Sequence, residues 1–443
     1  MRWICLWQVP DVSVPFDARD VIGPTVPPDQ DALTYYMSAA QILEQNSPDW
    51  LWDAMNGAME YRGPWDERLD QWLRDNSKLL EELELGSSRS SVSKCLSKDD
   101  WAHNPVGQNL RQLTRVSVTQ AKAFERSENL DEAWKWHRVT LRLADHTDRQ
   151  ESLYYSVVGA AIRYVAAESI RDWASNPSLP AEQLRLARAE FTQLTSRRTP
   201  ISQIMKTEYL LCKSELESES GPDCLFPELD HGLLANLPAN CRRFFCWSIG
   251  QPELSLRLMR QILVNNSDQI DQPLHLRGQT VSSKYPFIFQ LDPGQPRQRG
   301  QLGATSLDRS LNGPLGRRLT RTGLLSRFGI FYDHNLDFKD VYLLQNARVT
   351  MTIVVLAAHE FQRVHGVFPT DVKQLIPVYL ETEPLDPMSR TGEQLHYRVD
   401  ESGNAWVWTV GVDGLIEGAA TLPNTASENC FKISLSDDID GER

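Results

Sequence analysis

The stretch 340-DVYLLQNARVTMTIVVLAAHEFQRVHG-366 decides the fold. Ala347, Met351, Val354, Ala358 and Phe361 recur at helical spacing with Val355 beside them, while Arg348, Thr352, Gln362 and Arg363 fall largely on other faces. The spacing predicts an amphipathic helix from about Asp340 to His365. Gly366 closes it, because glycine enters the left-handed region without steric penalty. The run Met351–Ala358 is almost wholly apolar, yet Arg348 and Glu360 flank it, and a membrane span needs ~20 apolar residues. It reads as a buried core helix.

Downstream, Phe368-Pro369-Thr370-Asp371 opens a short helix carrying Val372, Leu375 and Ile376, with Thr370 as its expected cap. Lys373 stands where a capping box needs Glu or Gln, so that box is missing. Pro377 and Tyr379-Leu380 end the helix. Glu383-Pro384-Leu385-Asp386-Pro387 follows, and two prolines this close enforce an extended or turning path. Leu395–Arg398 reads as a strand and Ser402-Gly403-Asn404 as a turn. Trp406, Trp408 and Val410 alternate with Val407 and Thr409, the period of a returning strand. Gly411-Val412-Asp413-Gly414 reads as a loop, and Phe431-Lys432-Ile433 as a last strand. Residues 336–443 therefore form a small α+β module, a long helix with an antiparallel hairpin or three-stranded sheet.

Several of these segments, in this order, resemble the C-terminal region of the major pseudopilin of type II secretion systems. The matching residues are His365-Gly366 with Phe368-Pro369, Leu375-Ile376-Pro377 with Tyr379-Leu380, and Pro384-Leu385-Asp386-Pro387. Tyr397 follows, then Gly411, Asp413, Gly414 and Gly418. The family's chains open with a prepilin-peptidase signal and a long hydrophobic helix. Here residues 1–335 are other sequence, so the resemblance implies a pseudopilin-like module on an unrelated body rather than a pilus subunit. In the family the Gly/Asp loop binds Ca²⁺, which takes several oxygen ligands. The resemblance assigns that role to Asp413, with Gly411, Gly414 and Gly418 shaping the loop. The family's second acidic pair falls near Glu428-Asn429, after an insert without acids, Ala420–Ala426. Read without the family, Asp413-Gly414 is a hairpin-type turn.

The other three quarters of the 443 residues read as helical. A net charge of −13 disfavours nucleic acid as a partner. Seven cysteines are spread along the chain and do not indicate a disulfide framework. The 13 tryptophans favour large aromatic cores. Met1–Trp7 is apolar but too short for a span, and breaks at Pro10. It reads as the exit stub of a membrane anchor lying before the given start, which would place the chain at the cell envelope. Without such an anchor the chain reads as cytoplasmic.

Residues 8–30 hold five prolines and read as linker-like chain. A helix from Asp31 carries Leu33, Tyr36, Ala40 and Leu43, and a longer one runs from Pro64 to Leu85, before a Ser-rich loop over Gly86–Ser93. Leu110–Ser127 and Leu130–His146 form a helical hairpin across Glu128-Asn129. Gln150–Ser175 presents Val157, Ala160, Ala161, Tyr164 and Val165 as its expected face. Ala181–Arg197, Ile201–Ser218 and residues 251–265 complete a bundle or superhelical body over 31–270. No sustained 34-residue period marks it as a tetratricopeptide array. Residues 271–335 connect it to the module. Within that connection, between Gly294 and Ile330, Arg297, Arg299, Arg309, Arg317, Arg318, Arg321 and Arg327 face only Asp308, a net +6. They form either a solvated loop pairing with the acidic body or a docking patch for an acidic partner or anionic surface.

Catalytic patterns are incomplete. His359-Glu360 would need a second histidine at 363 for a zinc-protease helix, and that residue is Arg363. Cys212, Cys224, Cys241 and Cys246 lack the paired spacing of zinc knuckles. Cys246-Trp247-Ser248-Ile249-Gly250 lacks the first glycine of a nucleophile elbow. Asp333-His334 with Asp337 reads as a capping or surface group. The sequence thus implies a mainly α protein with a small C-terminal α+β module, acting as a non-enzymatic assembly protein of bacterial envelope or secretion type with a protein partner. The alternatives are a purely structural protein and a hydrolase with its site in the helical body.

Overall fold

A computed structural model describes residues 11–60, 64–94, 105–217, 253–266, 270–276, 338–389, 391–410 and 430–433, with residues 6, 244, 247 and 248. The chain is mainly helical with a small antiparallel sheet near its C-terminus. Helix α1 (Ala18–Ile22) lies inside the stretch read as linker, started by Asp17, which accepts from the Arg19 amide, and stopped by Gly23 at φ 72°. The next elements are α2 (Ala32–Gln45), α3 (Leu51–Met59), α4 (Arg68–Asp75) and α5 (Ser77–Ser88). Asp31 caps α2 at the Leu33 amide, and the same carboxylate takes the Ser93 amide at 2.9 Å, tying the chain after α5 to the start of α2.

The helix expected over Pro64–Leu85 is two helices. Asn76 (φ −106°, ψ 31°) interrupts it, and its side-chain amide donates to the Trp72 carbonyl at 2.8 Å. Asparagine competes with the helical ladder in this way. The break lets Leu69, Trp72 and Leu73 of α4 and Leu79 and Leu83 of α5 enter one core with Tyr36 and Leu43 of α2. The first residues of the expected Ser-rich loop, Gly86–Ser88, belong to α5.

Helices α6 (Pro105–Arg126), α7 (Leu130–Asp148) and α8 (Leu153–Ala174) follow with short links, so consecutive ones run antiparallel. Glu128 turns the first link at φ 58° and Asn129 caps α7; Ser152 caps α8 at the Tyr155 amide. The face expected for α8 is only in part its core face. Ala160 is buried, but Val157 and Ala161 are exposed, and Tyr155, Val158, Ile162, Ala166, Ile170 and Trp173 are buried. Helices pack on α8 from several sides, so its apolar residues give no single direction. Helix α9 (Ala181–Thr195) adds Leu184, Ala187, Phe191 and Leu194 to the cluster around Trp173. Helices α10 (Ile201–Glu217) and α11 (Glu253–Asn266) share a smaller cluster with Leu153.

Helix α12 (Phe338–His365) is the long C-terminal helix. Val349 and Leu356 join the Trp173–Phe191 cluster of the body. Met351, Val354, Val355, Ala357 and Ala358 join a second cluster with Phe368, Leu375, Leu395, Ala405 and Val407. The apolar run in this helix thus reflects burial on two sides. Among the described residues no helix is long and apolar enough to cross a membrane. After Gly366 (φ 79°) comes a short 3-10 turn, Val372–Leu375. Its cap is Asp371, accepting from the Lys373 amide, rather than Thr370.

Strands β1 (His396–Val399), β2 (Ala405–Trp408) and β3 (Cys430–Ile433) form an antiparallel sheet in that order, with Tyr397 opposite Val407 and Val407 opposite Phe431. The face toward α12 is that of Ala405 and Val407, so the bulky tryptophans of β2 lie on the other. The Pro384–Pro387 turn is fixed by Asp386, a buried carboxylate that accepts from Thr409 Oγ1 (2.5 Å), the Val410 amide (2.8 Å) and the Met388 amide (2.8 Å).

Candidate functional site

The residues singled out by sequence scatter. Asp413, Gly411, Gly414, Gly418, the seven arginines from Arg297 to Arg327, and Asp333, His334 and Asp337 lie outside the described residues. So do Cys224, Cys241 and Cys246, while Cys212 is buried in the α10–α11 core. Among the described residues no group of three His, Cys, Asp or Glu side chains is placed to hold a metal ion.

The His359–His365 segment is a seam. His359 is buried, edge-on to Phe368 with ring centroids 5.5 Å apart. Burial first, and Arg363 second, push its pKa down to about 3, so it is a neutral core imidazole. Glu360 instead turns to the body and accepts from Arg188 of α9 at 2.9 Å. Arg363, at the position a zinc helix would give to histidine, donates to the carbonyls of Leu179 (3.0 Å) and Asn176 (2.7 Å) after α8. These polar ties fasten the end of α12 to the body.

A denser polar cluster lies where α6, α7 and α8 meet. Lys122 Nζ bridges Glu125 and Asp172, each at 3.1 Å, and Glu125 also meets His137 Nε2 at 3.0 Å. Burial alone would lower the lysine's pKa, but the two carboxylates outweigh it and raise it. Burial works to raise Glu125, and Lys122 and His137 bring it below the usual carboxylate range. Asp172 ends above that range, chiefly through burial. Each charge here is answered by a neighbour, which suits a structural tie between three helices.

The recess under the first turns of α12 differs. Its lining includes Asp148 at the end of α7, Ser156, Ala160 and Arg163 on α8, Arg198 and Thr199 after α9, and Tyr342 and Gln345 on α12, around about 300 Å³ of space including its open mouth. Asp148 pairs with Arg163, and Gly159 is required beside them because a Cβ there would fall on the Asp148 carboxylate. Thr199 Oγ1 donates to the Asp148 carbonyl at 2.9 Å, and Tyr342 Oη donates to the Thr199 carbonyl at 3.3 Å. The Arg198 guanidinium lies 5.3 Å from the Tyr342 ring centroid. Among the described residues its Nε and Nη1, and Ser156 Oγ, are buried without a hydrogen-bond partner. Burial first, and Arg163 second, lower the Arg198 pKa to about 10. The recess thus sets two guanidiniums against one carboxylate, Asp148, which pairs directly with Arg163 alone.

Sequence reading passed over this recess because its residues come from four separate segments. One signal was available. Arg163 interrupts the apolar run 157-VVGAAIRYVAA-167, and a charge inside a buried helix demands a partner. Compared with known proteins, the chain matches no family model, no curated protein and no solved structure.

Proposed function

We propose that this chain is a non-enzymatic assembly protein of bacterial cell-envelope type, in which a pseudopilin-like unit is built into a helical body and presents its outer end to a protein partner. Val349 and Leu356 of α12 lie in the body's core and Met351, Val354 and Ala358 in the sheet's, which builds the unit into the body; the observation that carries the partner is the exposed aliphatic tip. The long-helix, turn and antiparallel-sheet order, and the Asp386 turn that pins the end of β2, support the resemblance. A docking helix would leave a long apolar stripe uncovered; α12 spends its stripes inside the chain. Exposed instead is the tip at its C-terminal end. Val364, Val367 and Val378 are 58%, 65% and 74% exposed, three aliphatic side chains around the Gly366 and Pro377 turns.

Photo-crosslinking amino acids at Val367 and Val378, compared with Val157 on the body, test this in the native host. A discrete protein adduct at the tip positions and none at Val157 is expected; equal background at all three overturns it. The resemblance further assigns Ca²⁺ to the Asp413 loop. Calorimetric titration of the full chain is expected to show saturable binding that Asp413→Ala abolishes, and heats identical in the two proteins would remove that assignment.

A further inference from the structure

We propose that the recess between α7, α8, the segment after α9 and α12 is a binding site for one compact oxyanion, a carboxylate or inorganic phosphate, held by Arg198 and Ser156. The proposal is independent of the assembly role and rests on the inventory of donors and charges. Arg163 is answered by Asp148. Asp145, close by on α7, is paired with Arg149 at 3.2 Å. Asp271 takes the Ser202 amide at 3.0 Å as well as the Ser202 hydroxyl. Among the described residues Arg198 makes no ion pair, its buried Nε and Nη1 make no hydrogen bond, and the nearby Asp148 carboxylate is already paired with Arg163. A guanidinium withdrawn from water without a counter-charge is costly, and a bound anion removes that cost.

The chemistry of the lining fits an oxyanion. Arg198 offers charged N–H donors and Ser156 a hydroxyl whose Oγ is unpartnered. The Arg198 guanidinium lies over the Tyr342 ring, 5.3 Å from its centroid, a cation–π contact that favours the charged form. The space is narrow, so the anion must be small or be the end group of a larger molecule. Because Tyr342 and Gln345 belong to α12 and the other lining residues to the body, the site is complete only when α12 is seated. An occupant therefore favours the seated arrangement, by ordinary linkage.

The test is thermal melting and calorimetry of the full chain at constant ionic strength, with phosphate in one arm and acetate in the other, for wild type, Arg198→Met and Ser156→Ala. The expected result is a saturable rise in Tm of about 4 °C at a hundredfold excess over Kd, in at least one arm. Arg198→Met should lose it, and Ser156→Ala should bind about tenfold more weakly, the equivalent of one hydrogen bond. The arm that responds identifies the source of the anion. Responses equal in wild type and Ser156→Ala, or none in either arm, would overturn the proposal, and the serine variant decides the matter even where Arg198→Met does not fold.

Discussion

His359 shows how one buried residue sets a pH limit. Its pKa is about 3 in the folded chain against an ordinary 6.5, and His146, hydrogen-bonded to Tyr36 Oη at 2.8 Å, is depressed equally. A base whose pKa falls on folding contributes stability that is whole above pH 6.5 and shrinks as pH drops toward 3. At pH 5 each such histidine costs about 2 kcal/mol. His359→Leu, which places an apolar side chain in an apolar site, should make the fall in urea-derived stability between pH 6.5 and 4 shallower by the share of one histidine, His146 keeping its own, while changing little at pH 8; parallel wild-type and variant curves would show that the imidazole is not held neutral. Asp386 is the second such residue. Asp386→Ala strands two backbone amides and the Thr409 hydroxyl, with an expected loss of about 3 kcal/mol, and Asp386→Asn should recover part of it. A common unfolding midpoint for all three proteins would contradict that account.

At the scale of elements, helix existence was legible and helix direction was not. The ranges of α7, α9 and α12 follow from apolar spacing and end signals, since those are local. Asn76 split the expected Pro64–Leu85 helix because its side chain bonds to its own backbone, a choice decided by which core its neighbours must enter. Helix α8 defeated the assignment of a face because partners pack on several of its sides. Mutation separates the two situations. Leu356→Ala on α12 removes a fully buried side chain from the body cluster and should cost about 3 kcal/mol in urea unfolding. Val157→Ala, on the stripe of α8 that looked like its core face, should stay within about 0.5 kcal/mol of wild type. Comparable losses at the two sites would mean that α12 does not pack as described.

At the scale of the molecule, the sequence divides into body and module, while the packing joins them. The division is read from residues 271–335, which lack helical periodicity; the joining was not legible, because a helix apolar on two sides does not say which neighbour takes which side. The recess was hidden for the same reason, its donors being spread over residues 148–345. Two tethers now define the seam, the Arg188–Glu360 pair and the Arg363 bonds to Asn176 and Leu179, added to the burial of Val349 and Leu356. A module made alone as residues 338–443 would carry that apolar stripe into water. Co-expressed as separate polypeptides, residues 1–337 and 338–443 should therefore copurify as a one-to-one complex on size exclusion. Arg188→Met together with Leu356→Ala should weaken the complex enough to resolve its two pieces. Recovery of 338–443 as a folded monomer beside an unassociated body would mean that the chain is two modules on a string, with α12 belonging to its sheet alone.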